Sequence, residues 1–234
     1  MKIAIIPARG GSKRVKNKNI IDFFGKPMIA YVLEAAKGSG LFDKIHVSTE
    51  SEVIRSTVED LGFKVDFLRP RELADDTTGL VPVLEWVLKE YERKGLIYKD
   101  ICCLLPTAPL LEPEDLKEAY NLYAAHGKKY SLHAVAKFPV PIEWAFRREE
   151  NGMLAPVSPK ALTARSQDLP KAYYDAGAFS YFPSSYLRGD ASASNQFISY
   201  VIPSDKSVDI DDPEDLELAK ILYLGRLAQK EMAR

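Results

Sequence analysis

The first half of the chain repeats one pattern, in which a short apolar, β-branched run is followed by a longer segment whose apolar residues recur at helical spacing. The runs are Lys2 to Pro7, Lys44 to Ser48, Lys64 to Leu68 and Asp100 to Pro106. Strands apolar on both faces belong to sheets covered on both sides, and parallel neighbours need a crossover, usually a helix, to join them. An α/β fold follows, with these runs as mainly parallel strands. The first crossover helix has Pro27 at its first position, keeps Met28, Ile29, Val32, Leu33 and Ala36 on one face, and meets stops at Gly38 and Gly40. Thr49-x-x-Glu52 reads as a capping box for a second helix, which carries Val53, Ile54, Val58 and Leu61 and ends at Gly62. Another helix starts near Pro113, with Leu116, Ala119, Tyr120 and Tyr123 on one side.

From about Lys137 to Tyr174 the period is lost, and Pro139, Pro141, Pro156, Pro159 and Pro170 punctuate a stretch charged at Arg147, Arg148, Glu149 and Glu150. This reads as an irregular excursion. Tyr173 to Phe182 and Phe197 to Ile202 read as further strands, and Asp212 caps a final helix opened by Pro213-Glu214-Asp215. With no internal repeat and no flexible linker, residues 1–234 read as one domain with an excursion over about 137–174, although length alone would also permit two.

Composition narrows the partners. The chain has 234 residues, 46% of them hydrophobic, enough to bury a sizeable core. Lysine plus arginine number 32 against 33 acidic residues, and a net charge of -1 gives no overall field for nucleic acid or anionic lipid. No apolar run approaches the roughly 20 residues of a membrane span, and the chain enters a strand at Lys2, so no membrane partner and no signal peptide are expected. Cys102 and Cys103 are adjacent, a spacing that suits neither an ordinary disulfide nor a metal knuckle. They read as buried strand residues in a reducing, cytoplasmic setting.

Chemistry concentrates in three places. Directly after the first strand, Arg9-Gly10-Gly11-Ser12-Lys13-Arg14-Val15-Lys16-Asn17-Lys18-Asn19 sets five basic residues in its first ten positions. The glycines let the backbone turn tightly and bring N–H groups to a ligand, while Ser12, Arg9 and the lysines donate to phosphate oxygens. A solvated basic turn would also carry this charge. Its place after a parallel strand, where open α/β sheets bind ligands, favours a polyphosphate cradle. Neither G-x-x-x-x-G-K-S/T nor G-x-G-x-x-G occurs, which leaves out the ATPase loop and weakens an NAD-dependent dehydrogenase. Near the other end, Asp209 and Asp211 stand two apart. In extended backbone both carboxylates face one side while Val208 and Ile210 face the core, and paired hard oxygens suit Mg²⁺. Acids leading into a helix N-terminus would explain Asp212 but not Asp209. A third cluster, Arg165 to Pro170 and Tyr173 to Gly177, could hold a carboxylated, hydroxylated ligand, although tyrosines at strand positions are commonly sheet residues. The polar segment Leu68 to Thr78 also follows a strand. His46, His126 and His133 have no zinc or nucleophile-base spacing, and no G-x-S-x-G elbow occurs.

The residues Ile6 to Arg14 with Lys16 to Asn19, Leu68-Arg69-Pro70 to Ala74-Asp75-Asp76, Pro106-Thr107-Ala108-Pro109-Leu110 and Asp209-Ile210-Asp211 resemble the CMP-sialic acid synthetases, or acylneuraminate cytidylyltransferases, in order and spacing across nearly the whole chain. The resemblance implies a Rossmann-like, mainly parallel sheet flanked by helices, with the excursion as a protruding dimerisation arm. It implies that CTP and a nine-carbon α-keto sugar acid give the CMP-sugar and pyrophosphate with Mg²⁺, in a homodimer whose arm walls the partner's sugar site. Ala8, Arg9, Gly10, Gly11, Ser12, Lys13, Lys18 and Asn19 would then hold the triphosphate, and Arg69, Thr77 and Thr78 would surround cytosine and ribose. Thr107, Arg165, Gln167, Asp168, Tyr174 and Asp175 would meet the sugar acid. Asp209 and Asp211 would hold the metal, and with Arg9, Lys13 and Lys18 they form the implied catalytic set.

Within that family, Lys18 to Phe24, Cys102-Cys103-Leu104, Arg165-x-Gln167-Asp168-Leu169 and Tyr174 to Gly177 are most like the members that act on pseudaminic acid. Leu105 stands where many sialic acid members carry glutamine, and Pro139 to Phe146 lacks a lysine that some of them have; both point away from N-acetylneuraminate. Legionaminic acid, the eight-carbon acid of lipopolysaccharide cores or a sugar phosphate as acceptor, and a non-catalytic nucleotide or sugar-acid binding protein, are the competing readings.

Overall fold

The computed structural model describes residues 1–189 and 196–232. In chain order its elements are β1 (Lys2–Pro7), a small hairpin of β2 (Asp22–Phe23) and β3 (Lys26–Pro27), α1 (Met28–Ser39), β4 (Lys44–Ser48), α2 (Glu52–Asp60), α3 (Leu80–Glu92), β5 (Asp100–Leu104), α4 (Pro113–Ala125) and β6 (Ser131–Lys137). There follow a hairpin of β7 (Phe146–Arg148) and β8 (Leu154–Pro156), then β9 (Tyr173–Pro183), α5 (Ser184–Leu187), β10 (Phe197–Val201) and α6 (Pro213–Met232). The main sheet has the order β10-β6-β9-β5-β1-β4. β1 pairs parallel with β4 and β5, β10 pairs parallel with β6, and β9 lies antiparallel to both β5 and β6. Five strands therefore run one way and β9 runs against them.

The pleat sorts β1 between two cores. Ala4 and Ile6 pack with Ile29 and Leu33 of α1, Ile54 and Val58 of α2, and Leu116 and Ala119 of α4. Ile3 and Ile5 pack with Leu84, Val87, Leu88 and Tyr91 of α3 on the other face. The adjacent cysteines divide in the same way, Cys102 to the first core and Cys103 to the second, both buried and free. Each isoleucine so buried contributes about 1.5–3 kcal/mol relative to exposure. A third cluster joins Phe23 and Met28 to Val208, Ile210, Leu216 and Ala219, holding the 208–211 segment and α6 to the body.

Of the two expected stops of α1, Gly38 lies inside the helix and does not end it, and Gly40 ends it in the left-handed region at φ 64. Asp212 likewise caps α6, its Oδ1 accepting from the amides of Glu214 at 2.9 Å and Asp215 at 3.1 Å. Four further expectations are corrected. Lys64 to Leu68 forms no strand: the segment runs past edge strand β4 without a ladder, because its side chains rather than its backbone are engaged. Phe67 packs on His46, Trp86 and Tyr91, while Asp66 receives Lys44 and the Tyr91 hydroxyl. The box at Thr49 and Glu52 does not form, since Ser51 lies nearer the helix and its Oγ accepts from the Ile54 amide at 3.4 Å. Pro27 sits one residue before α1 rather than within it. The excursion is shorter than 137–174 because Lys137 belongs to β6 and Tyr173 and Tyr174 to β9. Helix α3 is not among the elements expected from sequence, although Val83, Leu84, Val87, Leu88 and Tyr91 form its buried face.

Candidate active site

A cleft of about 630 Å³ opens beyond the carboxyl ends of β1 and β5. Its walls are the 9–19 loop, the 69–80 segment, the turn after β5 at Leu105 to Thr107, and Asp209 with Asp211. Of the residues expected to act, Arg9, Ser12, Lys13, Lys18, Asn19, Arg69, Thr78, Thr107, Asp209 and Asp211 line it.

The loop is tied down from behind. The Ala8 amide extends the β4 pairing by donating to the Ser48 carbonyl at 2.9 Å, and the Gly10 amide donates to Glu50 Oε1 at 2.7 Å. A Cβ at position 10 would lie 3.1 Å from Ser51 Cβ, so glycine here permits close approach to β4's end, while position 11 has open space. Buried Asn19 closes the loop by donating from Nδ2 to the Arg9 carbonyl at 2.8 Å. Ala8 and Gly10 thus back the loop, with the Gly10 N–H engaged by protein rather than turned to the cleft, while Gly11 is exposed and outside the cleft lining.

On the opposite wall the alternation expected at 208–211 holds. Val208 and Ile210 are buried, and the carboxylates of Asp209 and Asp211 project to the cleft. Their environments drive them apart. Loss of water against the cleft wall raises the Asp209 pKa, the nearby charge of Asp211 adds to it, and Lys18 only partly offsets both. At Asp211 desolvation also pushes upward, but hydrogen bonds from Arg14 and Lys18 outweigh it and the pKa falls. Arg14 Nη2 lies 2.8 Å from Asp211 Oδ2 and Lys18 Nζ 3.2 Å from Oδ1, and Lys18 also donates to the Ile210 carbonyl. Across the cleft mouth Asp76 takes Arg9 at 2.6 Å and Lys13, and its own pKa is lowered by the Lys13 bond and then the Arg9 bond. The neighbouring turn is held by Asp75, which accepts from the Thr77 and Thr78 amides at 2.9 and 2.6 Å. Thr77 therefore supports the wall without lining it.

The third cluster is split. Because β9 is reversed, its first residues lie at the carboxyl end of β6, Asp175 facing Val135 and Tyr174 facing Ala136. The Tyr174 hydroxyl meets Ser207 Oγ at 3.1 Å, just before Asp209, and Asp175 Oδ1 accepts from the Gly177 amide at 3.0 Å. Arg165, Gln167 and Asp168 stand on an exposed turn of the excursion outside the cleft lining, with Arg165 Nε 2.8 Å from Asp168 Oδ2. Sequence reasoning did not single out Glu50 or Asp76 as site residues. Glu50 had one available signal, its place just past a parallel strand.

The family comparison covers this whole arrangement: residues 3–232 match the family described as cytidylyltransferase. The chain belongs to the cytidylyltransferase family. It is 42% identical over 223 residues to the pseudaminic acid cytidylyltransferase of Campylobacter jejuni subsp. jejuni serotype O:2, covering 94% of this chain and 95% of that protein. It is 30% identical over 229 residues to the N-acylneuraminate cytidylyltransferase of Escherichia coli O18:K1:H7, covering 97% of this chain and 53% of the relative. Its fold is similar to that of a CMP:2-keto-3-deoxy-manno-octonic acid synthetase solved with CTP, with a TM-score of 0.72 at 15% identity over 96% of this chain and 99% of that one. The mainly parallel, helix-flanked sheet of this cytidylyltransferase thus matches the architecture expected from its sequence. Among its described residues no helix is long and apolar enough to cross a membrane.

Proposed function

We propose that this cytidylyltransferase joins CTP to pseudaminic acid, giving the CMP-sugar and pyrophosphate. The observation that carries the reading is a basic loop facing paired aspartates across one cleft, in a chain 42% identical over 94% of its length to a pseudaminic acid cytidylyltransferase. In-line attack of a sugar oxygen on phosphorus asks a protein chiefly for positioning and charge stabilisation. Arg9, Ser12, Lys13 and Lys18 are the groups for the triphosphate. The ion pairs of Asp76 are exposed and screened by solvent, so a multiply charged triphosphate displaces that carboxylate from Arg9 and Lys13. Lys13 and Lys18 then offset charge on departing pyrophosphate, and Arg69 with Thr78 form the wall for base and ribose.

The donor set fits Mg²⁺. Asp209 and Asp211 offer hard carboxylate oxygens to the cleft, which suit an ion that completes its shell with water and phosphate. Bound there, Mg²⁺ supplies neutralisation of phosphate charge and polarisation of the α-phosphate. Tyr174 and Asp175 border the acceptor's place, and apolar Leu105 in the lining supports an acid other than N-acetylneuraminate. Arg165, Gln167 and Asp168 reach a cleft through a homodimer in which the arm walls the partner's site. Exposed Val140, Ile142, Phe146, Met153 and Leu154 support the arm as a contact surface. Two buried, unpaired cysteines support a reducing cytoplasm as the compartment.

The experiment is pyrophosphate release with CTP and Mg²⁺ against pseudaminic, legionaminic and N-acetylneuraminic acids and the eight-carbon acid, with UTP and ATP as nucleotide controls. Preference for pseudaminic acid with CTP is expected. Preference for another acid overturns the choice of sugar and keeps the reaction, whereas no release with any pair leaves a nucleotide-binding protein as the reading.

A further inference from the structure

Glu50 follows β4 by two residues and does not line the cleft, yet its two carboxylate oxygens hold two different walls of it. Oε1 accepts from the Gly10 amide at 2.7 Å and Oε2 from Arg69 Nη2 at 3.0 Å. The Arg69 side chain is 3% exposed and that of Glu50 16%, so this is a largely buried pair rather than a surface contact. Glu50 is the carboxylate paired with the guanidinium, and among the described residues Arg69 Nε is buried without a hydrogen-bond partner. The Arg69 amide is fixed separately, donating to the Thr49 carbonyl at 2.8 Å. The backbone therefore anchors the residue, and the carboxylate sets where its charged end lies. On the loop side, Gly10 allows this approach because a larger residue would press on Ser51.

We infer that Glu50 is a positioning residue for the nucleotide, joining the phosphate loop to the arginine on the base side of the cleft. The inference rests on the proposal that this cleft takes CTP. Without the carboxylate, a buried guanidinium is left unpaired and free to turn toward phosphate oxygens, and the loop loses the acceptor that fixes its first turn. A residue acting in this way changes apparent CTP affinity while leaving the sugar acid's unchanged. A residue serving stability alone changes the folded fraction and moves neither KM.

The test is steady-state pyrophosphate release with CTP, Mg²⁺ and pseudaminic acid by Glu50→Gln, Arg69→Met, the double variant and Lys13→Ala, with thermal melts of each. Glu50→Gln is expected to raise KM for CTP by about tenfold with the sugar acid's KM unchanged, in line with loss of charge-assisted hydrogen bonds. The double variant is expected to fall short of the product of the single effects, because both act through one guanidinium. An unchanged CTP KM in folded Glu50→Gln, or single effects that multiply, overturns the inference. If Lys13→Ala and Arg69→Met also leave CTP KM unchanged, the nucleotide proposal itself fails. Should Glu50→Gln not fold, Glu50→Asp keeps the charge but shortens the reach, and the same split between the two KM values decides.

Discussion

A methyl group built on Gly177 would lie 2.8 Å from the carboxyl carbon of Asp209. Gly177 stands in β9 with φ +60, so an L side chain there is strained as well as obstructed. The backbone of one strand thus forms the back of the aspartate's socket. Gly177→Ala is expected to cost about 1–3 kcal/mol of stability and to lower turnover by more than the folded fraction accounts for, since Asp209 must swing away. Denaturant unfolding alongside kcat at saturating CTP checks this; wild-type turnover per folded molecule would show that Asp209 needs no such backing.

Asp211 is both the partner of Arg14 and Lys18 and a proposed ligand for Mg²⁺. Asp211→Asn keeps the shape and removes the charge. The Mg²⁺ concentration giving half-maximal rate is expected to rise by at least about tenfold. Because Asp211 is part-exposed and its ion pairs border solvent, the melting temperature is expected to shift by only about 2 °C. A normal Mg²⁺ dependence in this variant would move the metal away from the 209–211 pair.

His46 sits fully buried beneath the sheet's edge, with Nδ1 3.0 Å from the Tyr91 hydroxyl and its ring 4.6 Å from that of Phe67. Burial lowers its pKa to about 3, with the positive charges of Lys44 and Lys94 helping against the pull of Asp66. The unfolded chain takes up this proton near pH 6.5 and the folded one does not, so acid favours unfolding. Stability is expected to fall below pH 6.5 by up to about 1.4 kcal/mol per pH unit, above the range where most carboxylates titrate. Urea unfolding at pH 7, 6 and 5 measures the slope. His46→Gln should be flatter over that interval, and parallel curves for the two proteins would assign the acid sensitivity elsewhere.

What could be read from sequence follows the range of the forces involved. The 208–211 segment was legible because burial of Val208 and Ile210 obliges Asp209 and Asp211 to face outward, a consequence of strand geometry alone. The 9–19 loop was legible because its charge density departs from a neutral chain. Lys64 to Leu68 misleads because an apolar alternation reports burial on two sides, and Val65 and Phe67 satisfy it by packing into the two cores without any backbone pairing. The bridge from Glu50 to Gly10 and Arg69 spans 40 and 19 residues, and the contact of Asp76 with Arg9 spans 67. Pairings across such separations are fixed by topology, which a linear pattern does not encode.

The excursion leaves the sheet at Lys137 and re-enters at Tyr173, and these two residues face each other in register across β6 and β9. Its ends are therefore already brought together by a ladder of main-chain hydrogen bonds, so the length and content of the segment between them carry little thermodynamic weight for the sheet. Such a segment can change in length at little cost to the sheet. The 9–19 wall of the cleft follows β1, whose side chains are bound into both cores, whereas the stretch that re-enters at Tyr174 and Asp175 is fastened to the sheet at its two ends.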